Sequence, residues 1–271
     1  GIILSSGAIM TPYLLLKSGI GDTQELNNYN IPVNLHSHHI GKNLQDHLGL
    51  DYLYKTDKTT LNYDLGTWSG RIKSIFRYLY NRTGPFALSL NQGGGYINWN
   101  SLESYPNIQL YFNPLTYSVS YKDNRPLLKT DKFNGFIIGF NSCRPKSLGE
   151  VKLKISKKDY LPSIDPKYLS DERDIHDLYS AFDLIRKFSN NRHLKEIIDS
   201  SVNITPINAN NEELLDHFKS NATTVYHPCG TCRMSRDINS GVVSEKLKVH
   251  GLDNLWIVDA SIMPNITSGN T

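Results

Sequence analysis

The sequence predicts an α/β layer built from both ends of the chain, with a separate, mainly antiparallel sheet inserted between them. Three observations carry this. Apolar runs stand near each end, Ile2-Ile3-Leu4 and Leu255-Trp256-Ile257-Val258, and each leads into small or polar residues, as buried parallel strands do. A capped helix follows the first run. Between them the pattern changes to aromatic and β-branched segments separated by Pro, Asn and Gly turns, which is the grammar of antiparallel strands.

The elements follow in order. Residues 1–5 read as a buried strand, and Ser6-Gly7-Ala8 as a turn. A short helix is then expected with Thr11 as N-cap, Pro12 at its first position and Gly19 at its end, burying Leu14, Leu15, Leu16 and Ile20. Strands are expected at 50–54, 94–99, 108–112, 135–140 and 150–155, all in the inserted sheet. Two helices accompany them. Residues 69–80 place Ile72, Ile75, Phe76 and Leu79 on one face, and residues 171–189 do the same with Ile175, Leu178, Tyr179, Phe182 and Ile185. The ranges expected are 1–47 for the first part of the terminal domain, 48–217 for the insert and 218–271 for the return segment.

Composition narrows the function classes. A net charge of +3 over 271 residues, with acids and bases interspersed, argues against a nucleic-acid role. Lys152, Lys154, Lys157 and Lys158 form the densest basic stretch, and their alternation with Val151, Leu153 and Ile155 reads as the wet face of a strand. No apolar run of about 18 residues is present to span a membrane. Cys143, Cys229 and Cys232 are too few for a disulfide scaffold. Sequons stand at Asn81, Asn203, Asn221 and Asn265, but roughly four are expected by chance in so Asn-rich a chain, so the compartment stays open with a lean toward secretion. The chain opens on Gly1-Ile2-Ile3 without Met and closes on Ser268-Gly269-Asn270-Thr271, and both ends read as cut.

Three local patterns bear on chemistry. Gly7-Ala8-Ile9-Met10-Thr11-Pro12 is a small-residue turn that lets a flat or anionic ligand approach the backbone, and equally a plain helix entry. In Tyr226-His227-Pro228-Cys229-Gly230-Thr231-Cys232, Pro228 and Gly230 put His227 on a loop, where an imidazole suits proton transfer. Asp259-Ala260-Ser261 ends a strand, with Ser268-Gly269-Asn270 beyond it.

Together with Gly41-Lys42-Asn43-Leu44-Gln45-Asp46-His47 and Val249-His250-Gly251, these segments in this order resemble the glucose-methanol-choline (GMC) oxidoreductases. The resemblance spans the whole chain, although residues 50–145 match only in character. It implies the carboxyl-terminal part of a Rossmann-like FAD-binding domain with an inserted substrate domain. It also implies oxidation of an alcohol or sugar hydroxyl by hydride transfer to FAD. On that resemblance His227 inherits the catalytic base and Asn270 the group that contacts the substrate oxygen. Gly7, Ala8, Asp259, Ala260, Asn270 and Thr271 inherit cofactor contacts, and no metal is implied.

The implied chemistry makes a demand. A hydroxyl has a pKa near 16 and histidine about 6.5, a gap of about nine units or roughly 12 kcal/mol. His227 alone therefore cannot form a free alkoxide. Charge must be stabilised as it develops, a task suited to an amide donor such as Asn270.

The sequence also departs from the family. No Gly-x-Gly-x-x-Gly turn is present, Gly93-Gly94-Gly95 having the wrong spacing, so these residues alone are expected to bind FAD poorly and the activity to belong to a longer parent. Cys229 stands where an aliphatic residue is commoner and makes a Cys-x-x-Cys with Cys232. Two alternatives remain: a hydroxynitrile-lyase-like enzyme on the same scaffold, and a non-catalytic member. The electron acceptor is not legible.

Overall fold

The computed structural model describes every residue except 123, 124, 157, 158 and 203, and the side chains of 121, 122, 125 and 126. Lys157, Lys158 and the sequon residue Asn203 therefore lie outside the described residues. The chain forms two compact units. One comprises Gly1–Leu48, Cys143–His176 and Thr224–Thr271, the other Gly49–Ser142 and Asp177–Thr223. The first break falls beside the expected 47/48 boundary, but residues 143–176, expected in the insert, group with the chain ends.

The reason is strand pairing in the first unit. The strand Gly149–Ser156 pairs antiparallel with Asp159–Asp165 on one edge and Lys42–Leu44 on the other, a three-stranded sheet of its own. It is not part of the inserted sheet, contrary to expectation. Val151 and Leu153 are buried while Lys152 and Lys154 face outward, so the alternation was correctly read although the sheet was not. Ile155, at the strand's end, is exposed.

Glu150 on this strand holds three lysines: Lys42 at 2.5 Å, Lys152 at 2.7 Å and Lys167 at 3.5 Å. Burial alone would raise its carboxyl, but the lysines Lys152 and Lys42 outweigh it and hold the pKa down to about 2. An acid depressed in the folded state stabilises fully above its unfolded pKa, about 4.3, and loses that contribution as pH falls through the folded value. Glu150→Gln should lower Tm at pH 7 by about 2–4 °C. In a pH series of thermal melts the difference should close as pH falls through about 2. A difference independent of pH would contradict the charge assignment.

Ile2–Leu4 pairs parallel with Leu255–Ile257, as expected of the α/β layer. Its burial was not: Ile2 is 61% and Ile3 66% exposed, and only Leu4 packs on the core. The following helix runs Gly7–Lys17, a turn earlier than expected, so Thr11 and Pro12 lie inside it. Pro12 has no N–H to give the Ala8 carbonyl four residues back. That carbonyl instead accepts from Thr231 Oγ1 at 2.5 Å. Gly19 follows the C-cap Ser18 with φ +73°, the left-handed position where helices end. Leu15 and Leu16 enter a core with Ile20, Leu26, Ile40, Val243 and Ile257. Each such side chain contributes about 1.5–3 kcal/mol of burial. Leu14, expected with them, is 38% exposed.

The second unit holds the antiparallel sheet, with strands ordered Ser200–Ser201, Leu48–Lys55, Gly135–Ser142, Ile108–Asn113 and Gly93–Ile97. The register Tyr54↔Phe136 and Tyr52↔Ile138 puts one aromatic face inward. Phe140 on that face packs against Phe182 of the helix Glu172–Ser189 and Phe218 of the helix Asn211–Asn221. On the other face Gly139 lies between Asp51 and Tyr111, and its missing Cβ lets Tyr111 Oη donate to Asp51 Oδ1 at 2.8 Å. The helix Trp68–Asn81 carries Ile72, Ile75, Phe76 and Leu79 on an exposed face. Among the described residues no helix is long and apolar enough to cross a membrane.

Candidate active site

The motifs separated in sequence converge in the first unit. Residues 229–232 thread between two other segments and are hydrogen-bonded to both. On one side Gln45 and Cys229 exchange backbone bonds at 3.0 and 2.9 Å, and Gly41 N–H donates to the Thr231 carbonyl at 2.8 Å. On the other, Gly230 and Cys232 N–H donate to the Ala260 and Ser261 carbonyls at 3.1 and 2.8 Å. Gly230 has φ +88°, and a Cβ there would stand 2.4 Å from the Asn43 carbonyl oxygen. Only glycine lets the two backbones come this close.

His227 stands two residues before this segment and is 8% exposed. Tyr226 before it holds φ +64°, which is unusual for a bulky residue. The turn is held by Tyr226 N–H donating to Thr224 Oγ1 at 2.9 Å. The buried Asp46 carboxylate anchors the loop. Its Oδ1 accepts from the His227 N–H at 2.9 Å, and its Oδ2 accepts from Tyr168 Oη and Thr224 Oγ1, each at 2.5 Å. The His227 ring meets a second buried histidine: His47 Nδ1 lies 2.9 Å from His227 Nδ1, and His47 Nε2 lies 3.0 Å from the Cys143 carbonyl. The rings are nearly perpendicular, at 84°.

Asp46 and His47 were not singled out by sequence reasoning beyond their place in the Gly-x-Asn-Leu-x-Asp-His segment. Their adjacency within it is the available signal: Asp46 holds the His227 backbone and His47 its ring.

Of the expected cofactor residues, Gly7 and Asp259 are brought together. Asp259 Oδ2 accepts from Gly7 N–H at 3.0 Å and Thr11 Oγ1 at 2.6 Å, while Oδ1 accepts from Ser261 N–H at 2.8 Å. The carboxylate thus ties the ends of the two parallel strands together. Ala8 is buried, with its carbonyl committed to Thr231, and Ala260 is half-buried. Asn270 and Thr271 are exposed at the end of a segment that Gln45 secures by accepting from Ile266 N–H at 3.1 Å. Arg144 Nε donates to Ser268 Oγ at 2.7 Å in the same segment. Beside it opens a cleft of about 610 Å³ lined by Asn43, Gln45, Arg144, Arg233 and Ile266.

Whether these residues fit FAD is tested by Gly7. Its φ is +82°, its Cβ position is open space, and it stands just past the carboxyl end of a parallel strand, the place where α/β sheets bind nucleotides. The fit is with a flat or anionic group lying against bare backbone.

Cys229 and Cys232 of the Cys-x-x-Cys are buried and not joined by a disulfide. Burial, reinforced by Asp46, pushes the Cys229 thiol up to about 12, and burial raises Cys232 as well, so neither is a thiolate at neutral pH. Among the described residues no cluster of three His, Cys, Asp or Glu could hold a metal. Three aromatic residues of the second unit are held apart from one another. Trp68 is 77% exposed, Trp99 donates to Asp183 under the Lys187 ammonium, and Tyr111 is bound to Asp51.

Comparison with known proteins bears on the family. Residues 1–49 match the amino-terminal profile of the GMC oxidoreductases and residues 145–271 the carboxyl-terminal one. The chain is 34% identical over 270 residues to an oxygen-dependent choline dehydrogenase of Cronobacter sakazakii, covering 99% of this chain and 47% of that protein. It is 33% identical over 271 residues to an alcohol dehydrogenase (acceptor) of Pseudomonas putida, covering 100% and 48%. The crystal structure of pyridoxine 4-oxidase from Mesorbium loti superposes with a TM-score of 0.77 at 28% identity, over 99% of this chain and 48% of that one. A formate oxidase structure superposes at 0.85 and 26%, over 98% and 50%. The chain thus spans about half the length of the relatives it matches. GMC oxidoreductases are FAD-binding flavoproteins. With its motifs gathered around His227 and its match at both ends, this chain belongs to the GMC oxidoreductase family.

Proposed function

We propose that the protein oxidises an alcohol or sugar hydroxyl by hydride transfer to FAD, with His227 accepting the hydroxyl proton and Asn270 assisting at the substrate oxygen. The observation that carries the reading is the setting of His227. It is a nearly buried imidazole whose backbone is fixed by Asp46 and whose ring is fixed by His47. Such fixing is what proton transfer in a transition state requires. FAD, when bound, supplies the acceptor for the two electrons that leave the carbinol carbon as hydride. Gly7, with its open backbone, and the Asp259–Ala260 strand end would hold it. The activity is assigned to the whole protein, and this chain spans about half the length of the relatives it matches. Substrate recognition is assigned to residues 48–217 on the resemblance. An alcohol substrate also agrees with the names of the choline and alcohol dehydrogenases this chain is similar to.

The test is a panel of alcohols, choline among them, added without oxygen to the FAD-loaded protein while its yellow absorbance is followed. Bleaching by at least one alcohol, with the carbonyl product formed in equal amount, is expected. Cleavage of a hydroxynitrile with the flavin still yellow would replace the proposal by a lyase. Protein that takes up no FAD would remove it.

A further inference from the structure

The contact between the two buried histidines carries more than position, because its partners fix where the protons are. His47 Nε2 faces a backbone carbonyl, Cys143 O, at 3.0 Å. A carbonyl only accepts, so Nε2 of His47 must carry a hydrogen. The two Nδ1 atoms stand 2.9 Å apart, a distance that needs one hydrogen between them. With His47 neutral, its Nδ1 is a bare lone pair, and the hydrogen belongs to His227 Nδ1. His227, if neutral, then has its own lone pair on Nε2.

We propose that His47 is a positioning residue that sets His227 in the Nδ1–H form, leaving Nε2 as the atom that takes the substrate proton. The role given to Nε2 rests on the alcohol-oxidation reading, whereas the tautomer does not. The surroundings favour a neutral His47. Burial lowers its pKa, and His227 acts in the same direction, against the opposing pull of the Cys143 and Thr267 backbone and of Asp46.

The same geometry limits where the proton goes. After Nε2 of His227 takes it, the dyad carries one positive charge, and the hydrogen between the Nδ1 atoms can lie with either ring. The chain then stops, because the Cys143 carbonyl cannot accept a proton and pass another on. The dyad therefore stores a proton during hydride transfer and returns it through Nε2 only.

The first experiment reads the tautomer directly. Long-range 1H–15N correlation on the FAD-loaded protein with 15N-labelled histidine should show a neutral ring protonated at Nδ1, and this signal should vanish in His227→Ala. A neutral His227 protonated at Nε2 would overturn the proposal, whatever the activity.

The second uses two substitutions. In His47→Gln the amide oxygen can accept from His227 Nδ1–H while the NH2 donates to the Cys143 carbonyl, so kcat should stay within about tenfold. His47→Leu provides neither, and kcat should fall by about 10²-fold with KM nearly unchanged. Equal turnover in the two variants, or a KM effect alone, would contradict the assignment. Should His47→Leu fail to fold, the tautomer measurement on the unsubstituted protein still decides. A protein with the expected tautomer whose flavin no alcohol bleaches would refute the oxidation reading and leave the tautomer standing.

Discussion

In the FAD-loaded protein, His227→Ala is expected to slow alcohol-dependent flavin bleaching by about 10²–10⁴-fold, the usual contribution of a positioned general base. Because a hydroxyl and an imidazole differ by roughly 12 kcal/mol, no free alkoxide precedes the transfer, and the proton must leave as the hydride does. Without a base aligned on the hydroxyl, hydride departure leaves a protonated carbonyl with nowhere to send its proton. FAD content and the yellow spectrum should be kept, since the cofactor contacts assigned here come from Gly7, Ala8, Asp259 and Ala260. Asp46, moreover, takes the His227 N–H from the backbone, which alanine retains. Absorbance after loading, followed by stopped-flow bleaching, separates the two effects. Bleaching within a few-fold of the unsubstituted protein would remove His227 from the chemistry.

The second large effect is on stability. Gly230→Ala should cost about 3 kcal/mol or more: left-handed backbone for a residue with a Cβ costs roughly 1–2 kcal/mol, and overpacking adds about 1–3. The overlap is with backbone, since the new Cβ would lie 2.4 Å from Asn43 O, and Asn43 is itself held at φ +61° with its side chain on the Gly230 carbonyl. The Asn43 side-chain nitrogen, 2.7 Å away, can move, but the backbone oxygen cannot. For a chain this size the cost corresponds to a Tm lower by roughly 6–12 °C. Gly7→Ala is the control: φ is also positive, at +82°, but nothing lies within 4 Å of its Cβ. It should cost only the backbone strain, about 1–2 kcal/mol. Equal losses in the two variants would mean that the close approach of residues 41–45 and 229–232 does not hold the loop.

The elements legible in the sequence were those whose signal is local. The strand Ile108–Asn113 and the helix Glu172–Ser189 lie where alternation and period placed them. Thr11-Pro12 misled because its local grammar, a cap and a first-turn proline, was overridden by distant partners. Thr11 Oγ1 donates to Asp259, 248 residues on, and the carbonyl opposite Pro12 is taken by Thr231. Ile2 and Ile3 read as buried because apolar runs do, yet burial depends on neighbours that lie outside the run. At the site, His227 was legible through its loop residues and the family resemblance. Asp46 and His47 act on it across 181 and 180 residues, a separation at which no pattern in one sequence pairs them.

The central claim is that an alcohol gives its proton to His227 and its hydride to the flavin. It is tested most directly by anaerobic stopped-flow bleaching of the FAD-loaded protein with a substrate alcohol carrying hydrogen or deuterium at the carbinol carbon. The account predicts that deuterium slows bleaching, that one carbonyl product forms per flavin reduced, and that His227→Ala slows the same phase. Product formed without bleaching, or bleaching indifferent both to deuterium and to the loss of His227, would contradict it.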